Sequence, residues 1–77
     1  MQGGDAEMAE KVCRRALQDI PKDPNLLCLL GASLIKQQKI EEAERPLSRA
    51  AKLFPDFSRA HEGLGEVFML QKIYPAA

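Results

Sequence analysis

Cysteine is scarce: Cys13 and Cys28 are the only two in 77 residues. Two thiols are too few for a disulfide framework, and their spacing is not that of a close metal-binding pair. They read as reduced thiols of a cytoplasmic protein. His61 is the single histidine. No nucleophile stands beside a base and no glycine-rich phosphate loop is present, so the chain offers no catalytic constellation, and neither a cofactor nor a metal is expected. Neither charge dominates, with eleven Lys+Arg against eleven Asp+Glu. That balance removes the electrostatic case for nucleic acid or an anionic membrane surface. No apolar run reaches the roughly 18 residues that would make a bilayer span. The opening Met1-Gln2-Gly3-Gly4-Asp5 is small and polar, unlike a secretory signal. A chain this short makes at most one small domain, which buries only about 60% of its unfolded surface.

What the chain does have is a period. Leu30-Gly31 returns 34 residues later as Leu64-Gly65, and Leu34 as Phe68. In the other direction Ala43-Glu44 matches Ala9-Glu10, Arg49-Ala50 matches Arg15-Ala16, and Pro55 matches Pro21. Gln37 returns as Gln71 and Ala43 as Ala77. One fixed period without a gap marks a repeat array.

Within each period the pattern is helical. Gly4-Asp5 reads as a turn and N-cap, followed by apolar Ala6, Ala9, Val12, Cys13, Ala16, Leu17 and Ile20 at steps of three and four. Pro21 stops that helix, giving 5–19. Asp23-Pro24 starts a second, 24–37, whose leucines lie on more than one face and require cover on two sides. A short link returns the chain antiparallel into a third helix, 40–53, with Ile40, Ala43, Leu47, Ala50 and Phe54 inward and Glu41 and Glu42 in the first turn. Pro46 lies inside that helix and is expected on its solvent side, with a kink. A fourth helix, 58–72, capped by Asp56 or Ser58, turns Phe57, Ala60, Leu64 and Phe68 inward; Tyr74 opens a fifth. Mid-helix Gly31 and Gly65 each cost roughly 1 kcal/mol against Ala, which is tolerated where another helix approaches closely.

The pattern Leu27, Leu30-Gly31, Leu34, Ala43, Leu47, Ala50, Pro55, continued by Leu64-Gly65 and Phe68, resembles the tetratricopeptide repeat family. The RNA-reading helical repeats differ, usually running at 35 residues and needing a basic surface that is missing here. The resemblance implies an all-α fold of antiparallel helix-turn-helix repeats stacked as a right-handed α-α superhelix, a solenoid fragment. Its parts are the second helix of one repeat (5–21), a full repeat (24–57), and the first helix of the next with the start of its second (58–77). Leu27 and His61 stand where the family's large aromatic usually stands, and Gln38 stands where Gly4 supplies a loop glycine.

The resemblance also implies a protein-protein interaction scaffold with a concave groove for a peptide or partner helix. The groove positions are Asn25, Cys28, Leu29, Ala32, Ile35 and Lys36, then Arg59, Glu62, Gly63, Glu66, Met69 and Leu70. The family's clamp for a C-terminal carboxylate is not expected, because its positions hold Cys28, Leu29, Ala32, Arg59 and Gly63, of which Arg59 alone could serve. An apolar groove with a two-carboxylate rim suits an amphipathic or mildly basic segment. A second reading is a non-catalytic repeat extension of a larger enzyme, such as a bacterial transferase.

Bland readings stand beside the sharper ones. Cys13 is a core residue, and Cys28 is the better candidate thiol, on a face open to solvent. His61 substitutes for a packed aromatic and does not join Glu62 and Glu66 as metal ligands, since adjacent helix residues diverge by about 100°. Lys11, Arg14 and Arg15 form a solvated basic face. Both ends present apolar helix surface without a polar capping unit, so the chain is expected to self-associate, with its fourth helix covering a helix of another copy as a symmetric pair or by exchange of the Tyr74 end.

Overall fold

Asp23 and Pro24 start the second helix as their chemistry dictates. Oδ1 of Asp23 accepts from the backbone N–H of Asn25 at 2.9 Å and of Leu26 at 3.3 Å, and Pro24 occupies the first helical position. The computed structural model describes the backbone of residues 2–73 and the side chains of residues 4–73. Its elements are α1 (Gln2–Asp19), α2 (Pro24–Lys36), α3 (Ile40–Leu53) and α4 (Ser58–Ile73). The fold is all-α among these residues. The expected opening of a fifth helix at Tyr74 lies outside them.

The helices pack in chain order: α1 on α2, α2 on α3, α3 on α4, with α2 also touching α4. Three residues join α2 to α3. Such a link spans at most about 10 Å, while α3 is about 21 Å long, so two helices packed along their length must run antiparallel. The turn satisfies the end of α2: Lys39 N–H donates to Leu34 O at 2.8 Å and Gln38 N–H to Ile35 O at 2.9 Å. This is the paired C-terminal pattern that puts one residue in the left-handed region, here Gln38 at φ 65°. Its register partner Gly4 is no turn. α1 continues through Gly4 and Asp5 to Gln2, and Asp5 is a first-turn residue of the helix.

The core is aliphatic and small. Leu27, Cys28, Leu30 and Leu34 of α2 pack with Cys13 of α1, with Ala43, Leu47 and Ala50 of α3, and with Ala60 and Val67 of α4. α2 is covered on two sides, as its leucines require. At its crossing with α3 the backbones come close: a Cβ placed on Gly31 would stand 2.6 Å from Cγ of Leu47. On the other side of Leu47, a Cβ on Gly63 would stand 2.7 Å from Cδ2. The Leu47 side chain thus lies between two glycines on two different helices.

Several residues lie elsewhere than their periodicity suggests. Pro46 is buried, and α3 runs through it without a break. Ala43, Pro46, Leu47 and Ala50 are spaced i, i+3, i+4 and i+7, so the apolar proline ring belongs to the inward stripe. Phe54 caps the C-terminus of α3 and is 40% exposed. Val12 on α1 and Ile20 just beyond its end are exposed. In α4 the buried positions are Ala60 and Val67, with Leu64 half-buried, whereas Phe68 is 53% exposed. α3 and α2 both lie on one side of α4, and Phe68 points away from them. No side-chain hydrogen bond from Asp56 or Ser58 caps α4 among the described residues. His61 is exposed, not packed, with Nε2 2.6 Å from the Pro55 carbonyl oxygen, to which its N–H form donates.

A polar contact also recurs with the period. The Glu10 carboxylate accepts from Nε2 of Gln37 at 2.8 Å, and Glu44 accepts from Nε2 of Gln71 at 3.5 Å. Each contact ties one helix to the C-terminal end of the helix that follows it. Glu10 also pairs with Arg14 Nε at 2.8 Å and lies 3.6 Å from Lys39 Nζ. Arg14 in turn reaches Glu42 at 3.7 Å, so the basic face of α1 is partly neutralised.

Two predictions follow from these contacts. Gly31→Ala should destabilise the chain by about 1–3 kcal/mol, because the buried Leu47 cannot withdraw. Gly65→Ala, at the matching position of α4, should stabilise it by up to about 1 kcal/mol, since nothing lies within 4 Å of the new methyl. Urea denaturation in dilute solution measures both, and equal signs would refute the crossing. The second prediction concerns acid. The hydrogen bond from Gln37, then that from Arg14, holds the Glu10 carboxyl below its ordinary value of 4.5. A depressed folded value means the stabilisation is whole above that ordinary value and is lost as pH falls through the folded one. Glu10→Gln should therefore lose less stability than the parent between about pH 5 and pH 3. Parallel stability curves for the two would contradict this.

Candidate functional site

The open cleft lies between α2 and α4, over the side chain of Leu47. Its wall on α2 consists of Cys28, Leu29, Ala32 and Ile35, and its wall on α4 of Arg59, Glu62, Gly63 and Glu66. The cavity volume is about 240 Å³. Helical spacing explains the first wall: positions 28, 32 and 35 recur every three or four residues and so line one side of α2. The same holds for 59, 62, 63 and 66 on α4. The floor needs Gly63, because a side chain there would collide with Leu47.

Eight of the groove positions named from the sequence thus surround one cavity, and Leu47 is an addition. Its periodicity marks Leu47 as core alone; Gly63, a residue without a side chain next to a large leucine, is the signal that Leu47 also reaches the cleft. Asn25, Lys36, Met69 and Leu70 are not part of the cavity lining. Asn25 and Lys36 are exposed at the two ends of α2, and Met69 is exposed on α4.

The cleft is apolar on one wall and charged on the other. Leu29 is half exposed into it. Among the described residues, Arg59, Glu62 and Glu66 form no ion pair with other side chains. Two carboxylates one helical turn apart therefore outnumber Arg59 and give the wall a net negative charge. Cys28 is not the open thiol expected from the sequence. It is 4% exposed, and burial pushes its thiol up. The positive charge of Arg59, brought from the next repeat, acts in the opposite direction and is the smaller effect. Cys13 is core, as expected, and its thiol is likewise raised by burial. Among the described residues no group of three or more His, Cys, Asp or Glu side chains is placed to hold a metal ion. No described helix is long and apolar enough to cross a membrane.

The chain belongs to the tetratricopeptide repeat family: a family model described as tetratricopeptide repeat matches residues 1–72. Such repeats are in general protein-interaction modules and in general non-catalytic. Neither a curated protein nor a solved structure matches the chain significantly.

The thiols give a prediction. In the folded chain Cys13 and Cys28 should alkylate with iodoacetamide far more slowly than in urea, because the thiolate is the reactive form. Arg59→Met should slow Cys28 further and leave Cys13 unchanged, as read by peptide mass spectrometry. Equal slowing of both residues would mean that Arg59 acts on stability and not on the thiol.

Proposed function

We propose that the cleft between α2 and α4 is the recognition groove of a protein-binding scaffold, and that its ligand is an amphipathic helix or peptide with a basic residue. One observation carries the reading: apolar Leu29, Ala32 and Ile35 face unpaired Glu62 and Glu66 across a single cavity. The cavity is smaller than the ~300–1,000 Å³ of small-molecule sites. It is of a size to take an anchor side chain of a docked segment, whose remaining length would lie along the groove. Arg59 sets the polarity of one end by excluding a second basic group there. The binding unit is the full repeat 24–57 with half repeats 5–21 and 58–77 on either side. We assign it to the cytoplasm, in keeping with two free cysteines.

The reading is tested with two synthetic helical peptides that share leucines at i, i+3, i+4 and i+7, one bearing lysines on the flank and the other glutamates. The lysine peptide should bind the parent chain and the glutamate peptide should not. Leu29→Glu should weaken the lysine peptide about tenfold or more, the scale of losing one buried leucine. The double variant Glu62→Lys, Glu66→Lys should reverse the preference. Fluorescence anisotropy reads all four cases, and equal binding of both peptides to the parent would overturn the proposal.

A further inference from the structure

Two surfaces of this molecule are the separate halves of an interface that it also contains intact. Along the 34-residue period, α4 is a second α2 and α1 is a second α3. Burial within each pair differs in one consistent way. Leu34 of α2 is 1% exposed under α3, whereas its counterpart Phe68 is 53% exposed. Gly31 is buried against Leu47, whereas Gly65 is open. On the third helix Ala43, Pro46 and Ala50 are all buried. Their counterparts on α1 are Ala9 and Ala16, half-buried, and Val12, 58% exposed. α1 and α3 are each covered by the helix that follows them, α2 and α4 respectively. What α3 has in addition is the cover of α2. What α2 has in addition to α4 is the cover of α3.

We infer that a second copy of this chain covers both of these exposed faces. The outer face of α1 in one copy docks on the outer face of α4 in the next and repeats, between chains, the α2–α3 packing seen within the chain. The two faces match in kind: Phe68 stands at the register position of Leu34 and Val12 at that of Pro46, both apolar and both exposed. Ala9 and Ala16 keep the small residues that flank the crossing on α3. Met8, one turn before Val12 and 63% exposed, extends the apolar face. The contact joins two different faces, so every added copy leaves both kinds free at the ends of the assembly. The product is an open head-to-tail stack and not the closed symmetric pair that apolar ends alone would suggest. It does not use the cleft that lies over Leu47, and its failure would leave the groove reading untouched.

The experiment is a concentration series in sedimentation equilibrium, on the whole chain, with Val12→Glu and Phe68→Glu variants. The parent's weight-average mass should rise past that of two chains without a plateau. Each variant alone should associate about tenfold or more weakly, since a charge at an apolar contact is costly to bury. An equimolar mixture of the two should form a 1:1 pair that grows no further, because each variant keeps the face that the other has lost. Circular dichroism checks that both variants remain helical, with Val12→Lys and Phe68→Lys as replacements. A parent that stays monomeric at high micromolar concentration overturns the inference. So does a plateau at two chains with Val12→Glu unaffected, or a mixture no more associated than its components.

Discussion

Leu47 between Gly31 and Gly63 is the contact on which the other packing depends. A single leucine fills the space where α2, α3 and α4 approach one another, and it can do so only because two of its neighbours have no side chain. Gly31 lets α3 lie close on α2, and Gly63 lets α4 lie close on α3. Both glycines lower helix propensity by about 1 kcal/mol, and the close crossing offsets that cost. The same leucine forms the floor of the cleft. Core packing and candidate recognition surface therefore share one side chain, and a change in its size would alter both.

Much of this was legible in the sequence. The period gave the helix count, the order of the elements and limits within a residue or so for α2, α3 and α4. Gly31 marked the crossing before any coordinates. The eight cleft positions are among those that the tetratricopeptide resemblance implies for the concave face. What periodicity could not tell was which faces find a neighbour. Phe68 has the position of Leu34, but α4 has no described helix on that side, so the same position is core in one repeat and surface in the next. Pro46 is buried although its polar neighbours Arg45 and Ser48 suggest the solvent side, because its spacing from Ala43 and Ala50 puts it on the inward stripe. His61 was expected to pack like an aromatic, yet its polar ring finds a carbonyl at the surface. The Arg59–Cys28 proximity was invisible because it joins residues on different repeats.

The polar contacts show a different use of repetition. Glu10–Gln37 and Glu44–Gln71 are the same pair of residue types, 27 residues apart in sequence each time, and each fixes how far one helix has turned relative to the helix that follows it. Apolar surfaces slide on one another at small cost. An amide donating to a carboxylate does not, because its geometry is directional. The first pair is short and reinforced by Arg14 and Lys39, while the second is long and has no such support. Orientation is thus specified more firmly at the α1 end of the chain than at the α4 end.

The order of helix contacts has a consequence for how the molecule opens. The backbone of α1 lies close to that of α2 and to no other helix, and only long side chains such as Arg14 carry it further. α4 rests on α3 and, more lightly, on α2. Among the described residues no close backbone contact joins α1 to α4, so no single event must break every layer at once. Stability is then a sum of neighbouring terms, and the ends can fray while the middle holds. Amide protons of α2 and α3 should be the last to exchange with solvent, so that opening spreads inward from the two ends as local excursions whose free energies rise toward Leu47.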